Sequence, residues 1–117
     1  MVIQNALASV AVRDLDAAIR WYAQVLGTPA DTPMPEVAEW RFPRGGALQV
    51  YHAPERAGDG SCTLAVDDID EVGRTLAALG IDTSQRAAND AVETLMIADP
   101  DGNHIAFAEA HDPRLAS

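Results

Sequence analysis

Apolar and polar positions along this chain follow two periods, and the order of those periods is written twice. Alternation at about residues 6–12 predicts a strand. Apolar side chains then fall at Leu15, Ile19, Tyr22 and Val25/Leu26, the spacing of one buried helical stripe. Asp14 stands where its carboxylate can accept from the free N–H groups of the first turn, and Leu26-Gly27 with Pro29 beyond closes the helix. Ala30–Pro35, rich in Pro, Thr and Asp, reads as a loop. Strands are predicted near Val37–Phe42 and Ala47–His52, joined by the turn Pro43-Arg44-Gly45-Gly46.

The plan then starts again. Val10-Ala11-Val12-Arg13-Asp14-Leu15-Asp16 returns 54 residues later as Leu64-Ala65-Val66-Asp67-Asp68-Ile69-Asp70. Strand Cys62–Val66 leads to Asp68 as helix cap, with Glu71 three residues on, a capping-box spacing. Ile69, Val72, Leu76 and Leu79 form the stripe, and Leu79-Gly80 ends it. A short edge strand is expected near Ile81–Arg86, then strands near Val92–Ala98 and His104–Ala110. Between these two, Asp99-Pro100-Asp101-Gly102-Asn103 combines a fixed proline φ with a glycine free to take positive φ, a turn. Residues 53–60 lose their apolar positions and read as a linker, and the tail after Asp112 reads as frayed. Repetition at a fixed offset means two copies of one βαβββ unit, about 5–53 and 60–110, each unable to bury its apolar face alone. The whole chain, 1–117, is the size of one α+β domain.

Charge narrows the range of partners. Eighteen acids against eight bases leave a net charge of −10, and every base is Arg. The absence of Lys excludes Schiff-base chemistry. Nucleic acids and anionic membranes are polyanions that need basic patches, so neither is an expected partner, whereas a cationic ligand is favoured. The lone Cys62 cannot form an internal disulfide and reads as a small core residue. No basic leader and no long apolar run is apparent, so the expected setting is the cytoplasm.

The strand–Asp-Leu-Asp–helix opening with Trp21-Tyr22 and Val25-Leu26-Gly27, its echo at Val66–Asp70, and the terminal Asp99-Pro100-Asp101-Gly102-Asn103 resemble the vicinal oxygen chelate superfamily. That superfamily includes glyoxalase I, extradiol dioxygenases, fosfomycin resistance enzymes and bleomycin resistance proteins. The resemblance covers roughly residues 5–110 and implies two curled sheets forming a cup. It also implies, in metal-using members, a divalent ion held by one side chain from the first and one from the last strand of each copy, commonly His and Glu. Carried onto this chain those positions are Leu7, Gln49, Ser61 and Ala106, none of them an imidazole or a carboxylate. The expectation is therefore no metal and no cofactor, since a catalytic divalent ion needs about three protein ligands of those types.

Strand alternation extends the cup face to Ser9 and Ala11, Thr63 and Ala65, Ala47 and Tyr51, and His104 and Ala108. These are small or hydrogen-bonding, while Val10, Val12, Leu48, Val50, Ile105 and Phe107 on the other face are bulky and belong under the helices. A small-lined concave face leaves room for a ligand; a shallow cup closed by a partner chain is the alternative. On the third strand either Trp40 and Phe42 or Glu39 and Arg41 face the cup. The expected ligand-binding set is Ser9, Gln49, Tyr51, Ser61, Thr63 and His104 for hydrogen bonds and Trp40 for stacking. Arg41, Arg44 and Arg56 read as surface charges. The chain is thus expected to be a metal-free small-molecule-binding protein, a homodimer like the bleomycin-resistance branch, sequestering a cationic or aromatic guest such as an antibiotic. The alternative is an enzyme with an unusual metal site, or with His104 as general base.

Overall fold

Each predicted unit builds its own sheet. The computed structural model describes residues 1–111, so the tail after Asp112 lies outside the described residues. The first unit runs β1 (Leu7–Val12), α1 (Leu15–Leu26), β2 (Asp31–Met34), β3 (Val37–Arg41) and β4 (Ala47–His52). The second runs β5 (Ser61–Ala65), α2 (Ile69–Ala78), β6 (Arg86–Ala88), β7 (Val92–Ala98) and β8 (His104–Ala110). The sheet orders are β1-β4-β3-β2 and β5-β8-β7-β6, the same topology twice. In each, the helical crossover returns the chain so that the first and last strands pair in parallel, while the hairpins pair antiparallel. The two first strands, β1 and β5, meet at the boundary between the units.

The helices form for the reasons the sequence gives. Asp14 accepts from Ala17 N at 3.1 Å and Asp68 from Glu71 N at 3.1 Å. Gly27 ends α1 in the left-handed region, φ 76°, where a Cβ would be strained. Tyr22 and Val25 of α1, and Ile69 and Leu76 of α2, pack with Val10, Val12, Leu48, Val50, Ile105 and Phe107 into one core. Leu79, assigned by spacing to the same stripe, is the C-terminal cap of α2 and stays exposed. Cys62 is only half-buried; burial, and then the Asp99 charge, push its thiol above the ordinary range.

Two elements differ from expectation. The stretch read as a loop contains β2, an exposed edge strand whose pairing to β3 shifts register between Asp31 and Met34. Pro33 is tolerated because an edge strand leaves one row of N–H groups unused. The edge strand expected near Ile81–Arg86 begins only at Arg86, because β6 takes its register from β7, with Arg86 opposite Leu95.

The turn Asp99–Asn103 does more than reverse the chain. Asp99 Oδ1 accepts from the N–H groups of Asp101 and Asn103, and Oδ2 accepts from the Tyr22 hydroxyl at 2.8 Å. Asn103 Nδ2 donates to Asp99 Oδ2 and, at 2.8 Å, to the Ala11 carbonyl of β1. Its Oδ1 accepts from Gly58 and Gly60 of the linker, at 3.1 and 2.8 Å. Arg13 adds an ion pair to Asp101 at 3.1 Å. Buried polar groups from α1, β1, the linker and the last hairpin are thereby satisfied together, which latches the second unit onto the first. Burial, and then the Asp99 charge and hydrogen bond, push the Tyr22 phenol far above its ordinary range.

Candidate functional site

The face of each sheet away from the helices carries the small and polar residues. On the first sheet it holds exposed Ser9 and half-buried Gln49, with Tyr51, also half-buried, beside them on β4. Glu39 lies directly opposite Gln49, and directly opposed residues of an antiparallel pair share a face. It is therefore Glu39 and Arg41 that face the cup, and Trp40 that points under α1. Trp40 is 2% exposed, stacks obliquely on Tyr22 and donates its indole N–H to the Thr28 carbonyl at 2.9 Å. The stacking wall expected of Trp40 is thus absent from the cup, because its large ring fills the core beneath α1.

A polar row crosses three strands of this face. Ser9 Oγ donates to Gln49 Oε1 at 3.5 Å, Gln49 Nε2 to Glu39 Oε1 at 2.9 Å, and Arg41 Nε to Glu39 Oε2 at 2.8 Å. Glu39 is buried, and the hydrogen bond from Arg41, then that from Gln49, hold its carboxyl below the usual carboxylate range. Beside the row, a hollow of about 300 Å³ opens between Leu7, Glu39, Arg41, Phe42 and Ala47. Glu39 is missing from the expected ligand-binding set; the register of the β3–β4 hairpin is the signal that would have placed it there.

On the second sheet Ser61, Thr63 and His104 are exposed, and Ser61 pairs with His104 across the parallel ladder. Thr63 pairs with Ala106 on the same face. The structure therefore gathers the expected residues into two groups, Ser9 with Gln49 and Ser61 with His104. Among the described residues no hydrogen bond joins one group to the other. A larger open depression, about 450 Å³, lies past the ends of β1 and β4 against Arg13, Asp14, Glu36 and His52, apart from both groups.

The four positions where the superfamily's metal-using members place ligands do not fit a divalent ion here. Leu7 and Ala106 have no donor atoms, Ser61 offers a neutral hydroxyl, and the Gln49 amide is engaged by Ser9 and Glu39. Among the described residues no group of three His, Cys, Asp or Glu side chains could hold a metal ion. No helix among them is long and apolar enough to cross a membrane.

A family model described as a glyoxalase-like domain matches residues 8–108. No curated protein matches the chain. Among solved structures, a glyoxalase/bleomycin resistance protein from Catenulispora acidiphila is 34% identical, over 90% of this chain and 96% of its own, with a TM-score of 0.80. A lactoylglutathione lyase from Agrobacterium tumefaciens shares the fold at 21% identity, covering 91% and 92% of the two chains, TM-score 0.75. So does a bleomycin resistance determinant encoded on the transposon Tn5, at 17% identity, covering 94% and 100%, TM-score 0.74. The doubled βαβββ topology already pointed one way, and a family match running through both units agrees with it: the chain belongs to the glyoxalase/bleomycin-resistance family of the vicinal oxygen chelate superfamily.

Proposed function

We propose that this chain is a small-molecule-binding protein that sequesters its guest on the cup face without a metal ion. The observation that carries this reading is the donor set at Leu7, Gln49, Ser61 and Ala106, which does not suit a divalent ion. The net charge of −10 favours a cationic guest, and small side chains such as Ala47 and Ala106 leave space for a flat aromatic body. An antibiotic of that chemistry is the candidate guest, in keeping with the bleomycin resistance proteins among the structural relatives. In this reading Ser9, Gln49, Tyr51, Ser61, Thr63 and His104 supply hydrogen bonds, and a second copy of the chain, in the cytoplasm, closes the open face.

The test combines metal stoichiometry with a thermal-shift screen. After dialysis against Zn, Ni, Mn and Fe(II), the purified protein should retain close to no metal per chain. A cationic aromatic guest at 100 times its dissociation constant should then add about 2.7 kcal/mol of stability. One tightly held metal per chain overturns the reading. A second reading, an enzyme, draws on the exposed imidazole of His104 beside Ser61 and on the lyase among the structural relatives. It requires a turnover that His104→Ala abolishes while binding persists.

A further inference from the structure

Three polar or charged residues are buried among those described: Glu39, Asp99 and Asn103. Asp99 and Asn103 are used up in the latch between the units; Glu39 is not. It sits on the cup face at the wall of the hollow, its side chain 7% exposed. A buried carboxylate persists only when a cation or strong donors compensate it. Gln49 is neutral. The compensating charge comes from Arg41, whose side chain is 77% exposed. A guanidinium held by one Nε bond from the solvent side is a weakly bound counter-ion, because water and salt screen it and its long stem gains freedom on release.

We propose that Glu39 anchors a cationic group of the guest, and that Arg41 is the counter-ion which this group displaces. The proposal rests on the small-molecule-binding reading above and names the class of guest: an ammonium or amidinium attached to an apolar body. The cation takes Glu39 Oε2, where Arg41 Nε now sits at 2.8 Å. The apolar body lies against Leu7 and Ala47. Gln49 keeps its own bond to Oε1 and is steadied by Ser9, so the carboxylate stays in place while its partner is exchanged. Arg41 swings into water, where it is already largely solvated. The overall negative charge draws cations toward the cup.

Three probes of one shape decide the matter by isothermal titration: benzamidinium, uncharged benzamide and anionic benzoate. The native protein should bind benzamidinium and neither of the others. Glu39→Gln should weaken benzamidinium by roughly tenfold or more, the scale of one hydrogen bond to a charged partner. Arg41→Met, which keeps an apolar stem and removes the competing cation, should tighten it severalfold. Equal benzamidinium binding by Glu39→Gln overturns the proposal. So does an Arg41→Met protein that shows no saturable benzamidinium binding. Benzoate binding that Arg41→Met abolishes would assign the hollow to anions instead. Should Glu39→Gln fail to fold by thermal unfolding, Arg41→Met and the amidinium–amide contrast still decide. A guest from the thermal-shift screen whose affinity ignores Glu39→Gln removes the anchor and leaves the binding reading standing. One metal per chain, with benzamidinium still held through Glu39, does the reverse.

Discussion

Asn103 makes four side-chain hydrogen bonds from a fully buried position, so its replacement tests the latch between the units. Asn103→Ala leaves the Ala11 carbonyl, the N–H groups of Gly58 and Gly60, and one Asp99 contact without a partner. The linker glycines are partly exposed and can turn to water, which limits their loss to about 0.5–1 kcal/mol each. Ala11 is 4% exposed, and an orphaned buried carbonyl costs about 1–3 kcal/mol. The expected destabilisation is about 3–4 kcal/mol, a large part of the ~5–15 kcal/mol typical of a folded domain. Urea unfolding followed by far-UV circular dichroism measures it, with an unchanged m-value showing that only stability moved. The companion variant Asn103→Asp sharpens the argument. It has the same size and keeps an oxygen for Gly58 and Gly60. It also sets a carboxylate oxygen where Nδ2 stood, 2.8 Å from the Ala11 carbonyl and 2.9 Å from Asp99. No rescue relative to alanine is expected at neutral pH. A loss below about 1 kcal/mol for Asn103→Ala, or an Asn103→Asp protein nearer to native than the alanine variant, would refute the latch, because both outcomes need the donor side of Asn103 to contribute little.

Tyr22→Phe should cost about 1–2 kcal/mol at pH 7 by removing the hydroxyl from Asp99. The folded phenol is raised above its ordinary value of about 10, so its contribution is full below that pH and is lost as pH rises beyond it. Native stability should therefore fall on the alkaline side, and Tyr22→Phe should flatten that fall in paired denaturation curves at pH 8 and pH 11. Gly58→Ala should cost about 2 kcal/mol or more in thermal unfolding, since at φ 92° a Cβ would stand 2.5 Å from the Asp101 carbonyl oxygen. Gly27→Ala, at φ 76° with no atom within 4 Å of its Cβ, should cost only about 1 kcal/mol. Asp14→Ala should lose about 1 kcal/mol through the first turn of α1, measurable by the same unfolding.

How much of this was legible in the sequence depends on whether a feature is local or set by register. Both helices, their Asp caps and six of the eight strands follow from periods carried by the residues themselves, as at Leu15–Leu26 and Ala47–His52. The first edge strand reads as a loop and the second as a strand several residues too early, because Asp31–Met34 and Arg86–Ala88 have no apolar face of their own and take strand geometry from β3 and β7. The Asp99–Asn103 turn was legible as a turn; its use as a latch was not, because that requires knowing that Ala11, Tyr22 and Gly60 come within reach of it. The choice between Trp40 and Glu39 is the instructive case. Alternation alone gives two opposite assignments for β3, each with one aromatic pair and one charged pair. Register settles it. Phe42 N–H bonds to the Gly46 carbonyl and Gly45 N–H to the Phe42 carbonyl, which closes the hairpin and sets Arg41 opposite Ala47 and Glu39 opposite Gln49. Once Gln49 faces the cup, Glu39 must follow, and Trp40 must go under the helix. A turn of a few residues thus decides that the first sheet offers a buried charge to a ligand and not an aromatic wall, and the composition of β3 alone contains no trace of that choice.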